Sequence, residues 1–277
     1  MEPESLPWAI LERHCALWSL TADGPLRVTS TSLLQPVRRD GRALMLKIAR
    51  VAEERRGARL MGWWDGRGAA PVLAIEGDAL LMQRAAGGRD LVAMARRGAD
   101  EAATAVIVAV VRRLHRHPSP PTFLTPLPSW FADFESVADG APPWMRRAAA
   151  MARTLLAAPV PEVALHGDVH HANILDFGER GWLAIDPKGL LGDRAFDYVN
   201  LFRNPDIDQS WPAIATRPAH FARRVAQVSR GASLEPAHLL RWIVAGMGLF
   251  AAWALIQGND AAFERRIAGL ALGELEG

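Results

Sequence analysis

A chain of 277 residues that is 50% hydrophobic and 22% charged falls in the ordinary globular class, long enough for one or two domains with a sizeable core. Its net charge of +2 comes from scattered arginines with no run of five like charges, which argues against a nucleic-acid partner. A single cysteine, Cys15, excludes an intrachain disulfide and reads as a packed core residue in a reducing compartment.

The amino terminus, MEPESLPWAI, is acidic and proline-rich and lacks the basic start and apolar run of a signal peptide, so a cytoplasmic protein is expected. Residues 25–49 hold two apolar, β-prone runs separated by RRDGR, and Asp40-Gly41 between such runs signals a hairpin. The second run carries Lys47. Lys47 and Lys188 are the only lysines in a chain otherwise rich in arginine, so each asks for a reason. Next come Leu60, Met61 and Trp64 at helical spacing, with Asp65-Gly66 as a stop. Residues 71–85 read as a second hairpin around Glu76-Gly77-Asp78. The region predicts a small antiparallel sheet with one helix packed on it.

Residues 85–90, AAGGRD, form a short connector that reads as a hinge. Beyond it the chain turns helical. Residues 98–117 start with Asp100 and Glu101 and end basic, as the helix dipole prefers. A proline-rich loop precedes a further helix over 142–159, bounded by prolines. Strands are expected at NILDF and WLAIDP around the turn GERG, and the remainder reads as mostly helical. The longest apolar run, residues 243–256, is shorter than the roughly 20 residues a membrane span needs and reads as a buried helix. The expected fold class is α+β, with a β-rich lobe over 1–84 and a larger helical lobe over 85–277. Sites between two lobes are common because closure excludes water.

Polar residues concentrate in LHGDVHHANILDFGERGWLAIDPKG, residues 165–189. One reading is a metal hydrolase, with His166, Asp168, His170 and His171 as ligands. The other histidines, His14, His115, His117, His220 and His238, lack acidic neighbours at ligand spacing, which weakens it. The other reading is phosphoryl transfer, which needs a carboxylate at the attacking hydroxyl, magnesium ligands and a cation on the nucleotide phosphates. Asp168 precedes Asn173 by five positions, the spacing of a kinase catalytic loop. Asp186 follows across an expected hairpin that would return it beside Asn173, and both are hard oxygen donors suited to Mg²⁺. Lys47 in LMLKIA would then grip the phosphates, held by Glu54, with Glu53 as the competitor.

The stretch LHGDVHHANILDFGERGWLAIDPKGLLGDRAFDYVNLFRNPD, with MLKIA, WWDGRGAA, LLMQRA and LLRWI, closely resembles the aminoglycoside O-phosphotransferases, and within them the streptomycin 6-phosphotransferase subgroup. HGDxHHxN alone marks the wider class of small-molecule kinases; GWLAIDPKGLLGDRAFDYVN narrows it. The resemblance covers residues 18–253. It implies a two-lobe, protein-kinase-like fold and transfer of the ATP γ-phosphate to a substrate hydroxyl. It makes Asp168 the catalytic carboxylate, Asn173 and Asp186 the Mg²⁺ ligands, Lys47 the phosphate contact and Glu54 its partner. Adenine would meet a hinge at Met82, Gln83 and Ala85. His166 takes a structural role, and Asp197 braces the catalytic loop.

Two departures stand out. No glycine-rich loop is present, so Ser30, Thr31 and Ser32 are left to offer donors to phosphate. Asp186-Pro187-Lys188 replaces the D-F-G of protein kinases, and Lys188 reads as a surface residue. The expected substrate is polycationic, so a local acidic patch is required on a net-positive protein. Asp193 is the best-placed acid, ahead of Asp206, Asp208, Asp133 and Glu135, while Trp130 and Phe131 read first as core. The function expected is an ATP- and Mg²⁺-dependent kinase for a hydroxyl of streptomycin, at the 6-position, acting as a monomer without nucleic acid or membrane. The alternatives are a kinase for hydroxyurea or a metabolite, and a catalytically dead nucleotide-binding module.

Overall fold

The computed structural model describes residues 6–138, 140–206 and 213–277. In chain order the elements are α1 (Leu6–Leu17), β1 (Thr21–Ala22), β2 (Arg27–Val28), β3 (Ser32–Arg39), β4 (Arg42–Ala49), α2 (Ala52–Trp64), β5 (Val72–Glu76) and β6 (Ala79–Gln83). Then come α3 (Leu91–Met94), α4 (Asp100–Leu114), β7 (Thr125–Pro126), α5 (Leu127–Trp130), α6 (Ala132–Ala138), α7 (Pro143–Ala157) and β8 (Glu162–Leu165). The hairpin β9 (Ile174–Asp176) and β10 (Trp182–Ala184) follows, then β11 (Leu190–Asp193), α8 (Pro218–Ala232), α9 (Pro236–Ile256) and α10 (Ala262–Glu276). A 3₁₀ helix spans Phe196–Arg203. The chain divides into two compact units, Met1–Arg89 with Asn173–Gly189, and Asp90–Ala172 with Leu190–Gly277.

The first unit is built on an antiparallel sheet of order β1-β3-β4-β6-β5, with β2 paired to β3. Asp40 and Gly41 both take positive φ (49° and 75°), as a tight hairpin turn requires, and set the register Arg39↔Arg42. Alternation along β4 puts Leu44, Leu46 and Ile48 into a core with Leu33, Val37, Leu81 and Leu11 of α1, and turns Lys47 to the opposite face. Cys15 packs partly buried against this core, and burial pushes its thiol pKa up. The sequence suggested one helix here; there are two. Helix α1 has no acidic residue in its first turn, so its start carried little signal.

Helix α2 opens with Glu53 and Glu54, complementing its dipole, and buries Glu54, Gly57, Leu60, Met61 and Trp64 along one stripe. Asp65 in the left-handed conformation ends it, its N–H bonded to the carbonyls of Met61 and Gly62. The β9–β10 hairpin pairs Ile174↔Ala184 and is stitched to this unit by Ala70 N–H to Ala184 O (2.9 Å), Ala184 N–H to Gly68 O (2.9 Å) and Gly87 N–H to Asp176 O (2.9 Å). A single cut after residue 84 therefore misses residues 173–189, which return to the first unit. Arg89 donates to both oxygens of Asp176 (2.7 and 2.8 Å), and this holds the Asp176 carboxyl well below the usual carboxylate range.

The second unit is helical apart from a three-stranded sheet of order β7-β11-β8. Helix α9 runs through it against α7, α8 and α10. At 21 residues α9 is longer than the apolar run read from the sequence and is long and apolar enough to cross a membrane by composition alone; 72% of its most apolar window is buried inside the protein. Its starting Pro236 extends the apolar run N-terminally, since proline is accommodated in a first turn.

Candidate functional site

Within the first unit, Lys47 on β4 is buried (8% exposed), and its ammonium pairs with both Glu54 of α2 and Asp186. Glu54 is 5% exposed, so burial of one charge is offset by the other. Glu53, the competitor, pairs instead with Lys188 (3.0 Å). Lys188 is thus only partly exposed, and its carbonyl accepts from Arg56 Nε (2.9 Å).

Asp186 is held at φ 63°, a left-handed conformation uncommon for a non-glycine residue. Two structures hold it there. The β9–β10 ladder continues with Ile185 N–H to Asn173 O (2.9 Å), so Asn173 and Asp186 emerge from the same end of one hairpin. From the other side α2 presses on the next residue: a Cβ at Gly57 would lie 2.1 Å from the Pro187 carbonyl oxygen, so only glycine fits. A pocket opens beside this cluster, its walls apolar apart from Lys47 and Asp186 and including Leu34, Gly57, Met61, Leu80 and Met82. Met82 lines it. Gln83 bonds through its N–H to Pro71 O (2.9 Å), and Ala85 lies past the end of β6, outside the lining.

The loop of Ser30, Thr31 and Ser32 joins β2 to β3. Thr29 Oγ1 accepts from the N–H groups of Thr31 (3.3 Å) and Ser32 (2.9 Å), so both amides are committed within the turn. Ser32 itself is buried at the start of β3, while Ser30 is exposed.

Within the second unit, β8 leads into His166-Gly167-Asp168. Gly167 takes φ 80°, which a Cβ would disfavour. Buried Asp197 accepts from Gly167 N–H (2.7 Å) through one oxygen, and from His166 N–H (3.0 Å) and His115 Nε2 (2.7 Å) through the other. It is the brace of this loop. His166 Nδ1 accepts from Asp168 N–H (3.2 Å), fixing its tautomer. Asp168 in turn accepts from Asn200 Nδ2 (2.6 Å), and His170 Nε2 stands 3.8 Å from the same oxygen. Nearby, Arg203 pairs with Glu264 and lies 4.3 Å over the Phe250 ring, its burial lowering the guanidinium pKa.

Asn200 and Arg203 were not singled out from the sequence. Their signal is spacing: Asp197, Asn200 and Arg203 recur every three residues, and in a 3₁₀ helix such residues eclipse on one face.

The histidines do not gather as metal ligands. His170 Nδ1 accepts from Ala172 N–H (3.2 Å), and His171 is buried, which holds it neutral. Among the described residues no group of three His, Cys, Asp or Glu side chains is placed to hold a metal ion.

Of the acids considered for a cationic substrate, Asp193 is buried and engaged: it accepts from Ala195 N–H (2.9 Å), His238 Nε2 (2.6 Å) and Trp242 Nε1 (2.9 Å). Asp206 is buried and accepts from the N–H groups of Ile214 and Ala215. Glu135 pairs with Arg153, and Asp208 lies outside the described residues. Asp133 is exposed, and its carboxylate accepts from Trp253 Nε1 (3.2 Å), whose ring meets Trp130 edge to face at 5.4 Å. Trp130 is half-buried, whereas Phe131 is buried core, packed on Phe196 and Trp242.

Residues 17–258 match the family model described as aminoglycoside/hydroxyurea antibiotic resistance kinase. The chain is 47% identical over 243 residues to a streptomycin 3''-kinase of Klebsiella pneumoniae, covering 87% of this chain and 91% of that one. It is 29% identical over 277 residues to a streptomycin 6-kinase of Streptomyces griseus, covering 94% and 87%. Among solved structures it superimposes on a thermostable aminoglycoside phosphotransferase crystallised with ADP and hygromycin B, with TM-score 0.63, 15% identity, and coverage of 96% and 98%. That likeness shows the fold: two-lobe, kinase-like and α+β.

Proposed function

We propose that this chain, which belongs to the aminoglycoside/hydroxyurea antibiotic resistance kinase family, transfers the γ-phosphoryl group of ATP to a hydroxyl of streptomycin and so confers resistance to it. The observation that carries the reading is the buried Lys47 ammonium, clamped by Glu54 and Asp186 beside an apolar pocket. A cation buried against two carboxylates is poised to exchange one of them for phosphate oxygens, and apolar walls suit a purine. Asn173 and Asp186 supply the hard oxygens that would hold Mg²⁺, which when bound neutralises charge on the phosphates. The two leave one hairpin end together, which fits a shared ion.

Asp168 is the base. It accepts the proton of the substrate hydroxyl as that oxygen bonds to the γ-phosphorus and the bond to the β–γ bridging oxygen breaks, releasing ADP. The braced loop supports this role, because Asp197 fixes the backbone on both residues before Asp168. Asp133, exposed beside two indoles, is the acid we assign to a guanidinium of the substrate, in place of the engaged Asp193.

The sequence pointed to the 6-hydroxyl as acceptor. The higher identity to the 3''-kinase supports the 3''-hydroxyl instead. Mass spectrometry and phosphorus NMR of streptomycin treated with the protein and MgATP decide the matter. One added phosphoryl group on the 3''-oxygen, lost in Asp168→Ala, is the expected result. Phosphate on the 6-oxygen would restore the first assignment, and no transfer to any aminoglycoside would refute the substrate.

A further inference from the structure

We propose that Asn200 is a positioning residue for phosphoryl transfer, setting the orientation of the Asp168 carboxylate; this rests on the reading of Asp168 as the base. Asn200 Nδ2 lies 2.6 Å from Asp168 Oδ1, a short bond of the charge-assisted kind. The orientation of the amide is settled by chemistry, since an ionised carboxylate only accepts and must face the NH₂ end.

The platform behind Asn200 is rigid. Its own carbonyl accepts from Asn204 Nδ2 (3.0 Å), and buried Arg224 donates to the carbonyls of Leu201 and Asn204 (2.8 Å each) while pairing with Asp100. The 3₁₀ geometry then lines up three functions on one face. Asp197 fixes the loop backbone, Asn200 fixes the carboxylate, and Arg203 stands near the same carboxylate, held by Glu264. At eight residues this 3₁₀ helix is long for its type, where runs beyond three or four are uncommon. An α-helix would place residues three apart about 60° out of line and spoil the row.

The other end of the same amide bears on stability. Asn200 is 8% exposed, and its Oδ1 has no hydrogen-bond partner among the described residues. A buried acceptor without a donor destabilises a fold, and native proteins carry few. Removing the side chain at 200 therefore relieves that cost while it takes the donor away from Asp168.

Three variants test the inference by steady-state kinetics and thermal melting. Asn200→Ala removes the donor and the orphaned acceptor together. Its kcat should fall tenfold or more with both KM values within about twofold, while the melting temperature stays level or rises. Asn200→Ser keeps a donor and should recover part of kcat. Asn200→Asp sets two carboxylates in contact. Singly protonated, the pair still bonds; as pH rises it loses that proton and the hold is lost, so the kcat optimum should move toward acid relative to the parent. Unchanged kcat in Asn200→Ala, with Asp168→Asn inactive, would overturn the inference and leave the base assignment standing. A fall in melting temperature with no recovery in Asn200→Ser and no movement of the pH optimum in Asn200→Asp would make the residue structural and overturn it too. Full activity in Asp168→Asn would instead remove the reading on which it rests.

Discussion

Replacing Gly57 by alanine should disable the enzyme while barely touching its fold. The added Cβ would stand 2.1 Å from the Pro187 carbonyl oxygen, and ordinary contact begins near 3.4 Å, so something must retreat by about 1.3 Å. The obstacle is backbone rather than the loose end of a side chain, and the residue before it is Asp186, already in a left-handed conformation. Overpacking of this kind costs about 1–3 kcal/mol, while alanine in place of glycine within a helix contributes about 1 kcal/mol the other way. The net loss of stability is then about 0–2 kcal/mol. A displacement of ~1 Å at a reacting group lowers turnover about 10²-fold, and the Lys47–Asp186 pair lies directly in its path. Gly62→Ala is the matched control on the same helix. Its Cβ would meet only the Ile75 Cδ1 at 2.9 Å, a methyl that can rotate away. Coupled ADP release and differential scanning calorimetry read both variants side by side. Gly57→Ala with parental kcat, or Gly62→Ala losing as much, would refute the close approach as the reason for glycine.

Asp193→Asn should lower the melting temperature, since the donors of Ala195, His238 and Trp242 lose their anion, at roughly 1–3 kcal/mol for each buried group left unmet, and should leave the aminoglycoside KM unchanged in the folded fraction; a rise in that KM with intact stability would return Asp193 to the substrate. Asp133→Asn should raise the streptomycin KM by up to about fivefold, the scale of an exposed ion pair, with an effect that shrinks in salt and no change in the ATP KM; an unchanged KM at low salt removes it from the site. The Arg89 guanidinium depresses the Asp176 pKa, so that contribution to stability is fully present above the unfolded value of about 3.9 and is lost as pH falls below it. Acid titration of the melting temperature should therefore be shallower in Asp176→Asn than in the parent over that window; identical slopes would deny the linkage.

How much of this was visible beforehand depends on how far along the chain each cause lies. The Asp40-Gly41 turn, the α2 stripe and the β9–β10 hairpin are set by near neighbours, and the sequence shows them plainly. Lys47 was legible for a different reason: with so few lysines, one on a strand before a Glu-Glu helix start narrows its partner to two residues. The choice of Glu54 over Glu53 follows from α2 burying the former. Asp193 was illegible because its partners His238 and Trp242 sit 45 and 49 residues away on α9, and nothing local tells a buried acceptor from a presented one. In the turn before β3, Thr29, one residue outside the stretch considered, takes the Thr31 and Ser32 amides that looked available for phosphate.

Three places where the chain breaks local rules bear on residues proposed for chemistry. Asp186 sits at φ 63°, Gly57 admits the Pro187 carbonyl closer than any side chain would allow, and Asn200 buries an acceptor that meets no donor among the described residues. At 186 and 200 the departures are ones that selection for stability alone would remove, by glycine or by a smaller residue. Strain of this kind persists only where the surroundings over-determine it, and here they do: α2 and the β9–β10 ladder fix Asp186 from two sides, and Arg224 clamps the platform under Asn200. Catalysis by positioning and charge neutralisation requires carboxylates that do not relax when their partners change. A stabilised variant carrying Asp186→Gly or Asn200→Ala would thus gain its stability from the same freedom that slows the reaction.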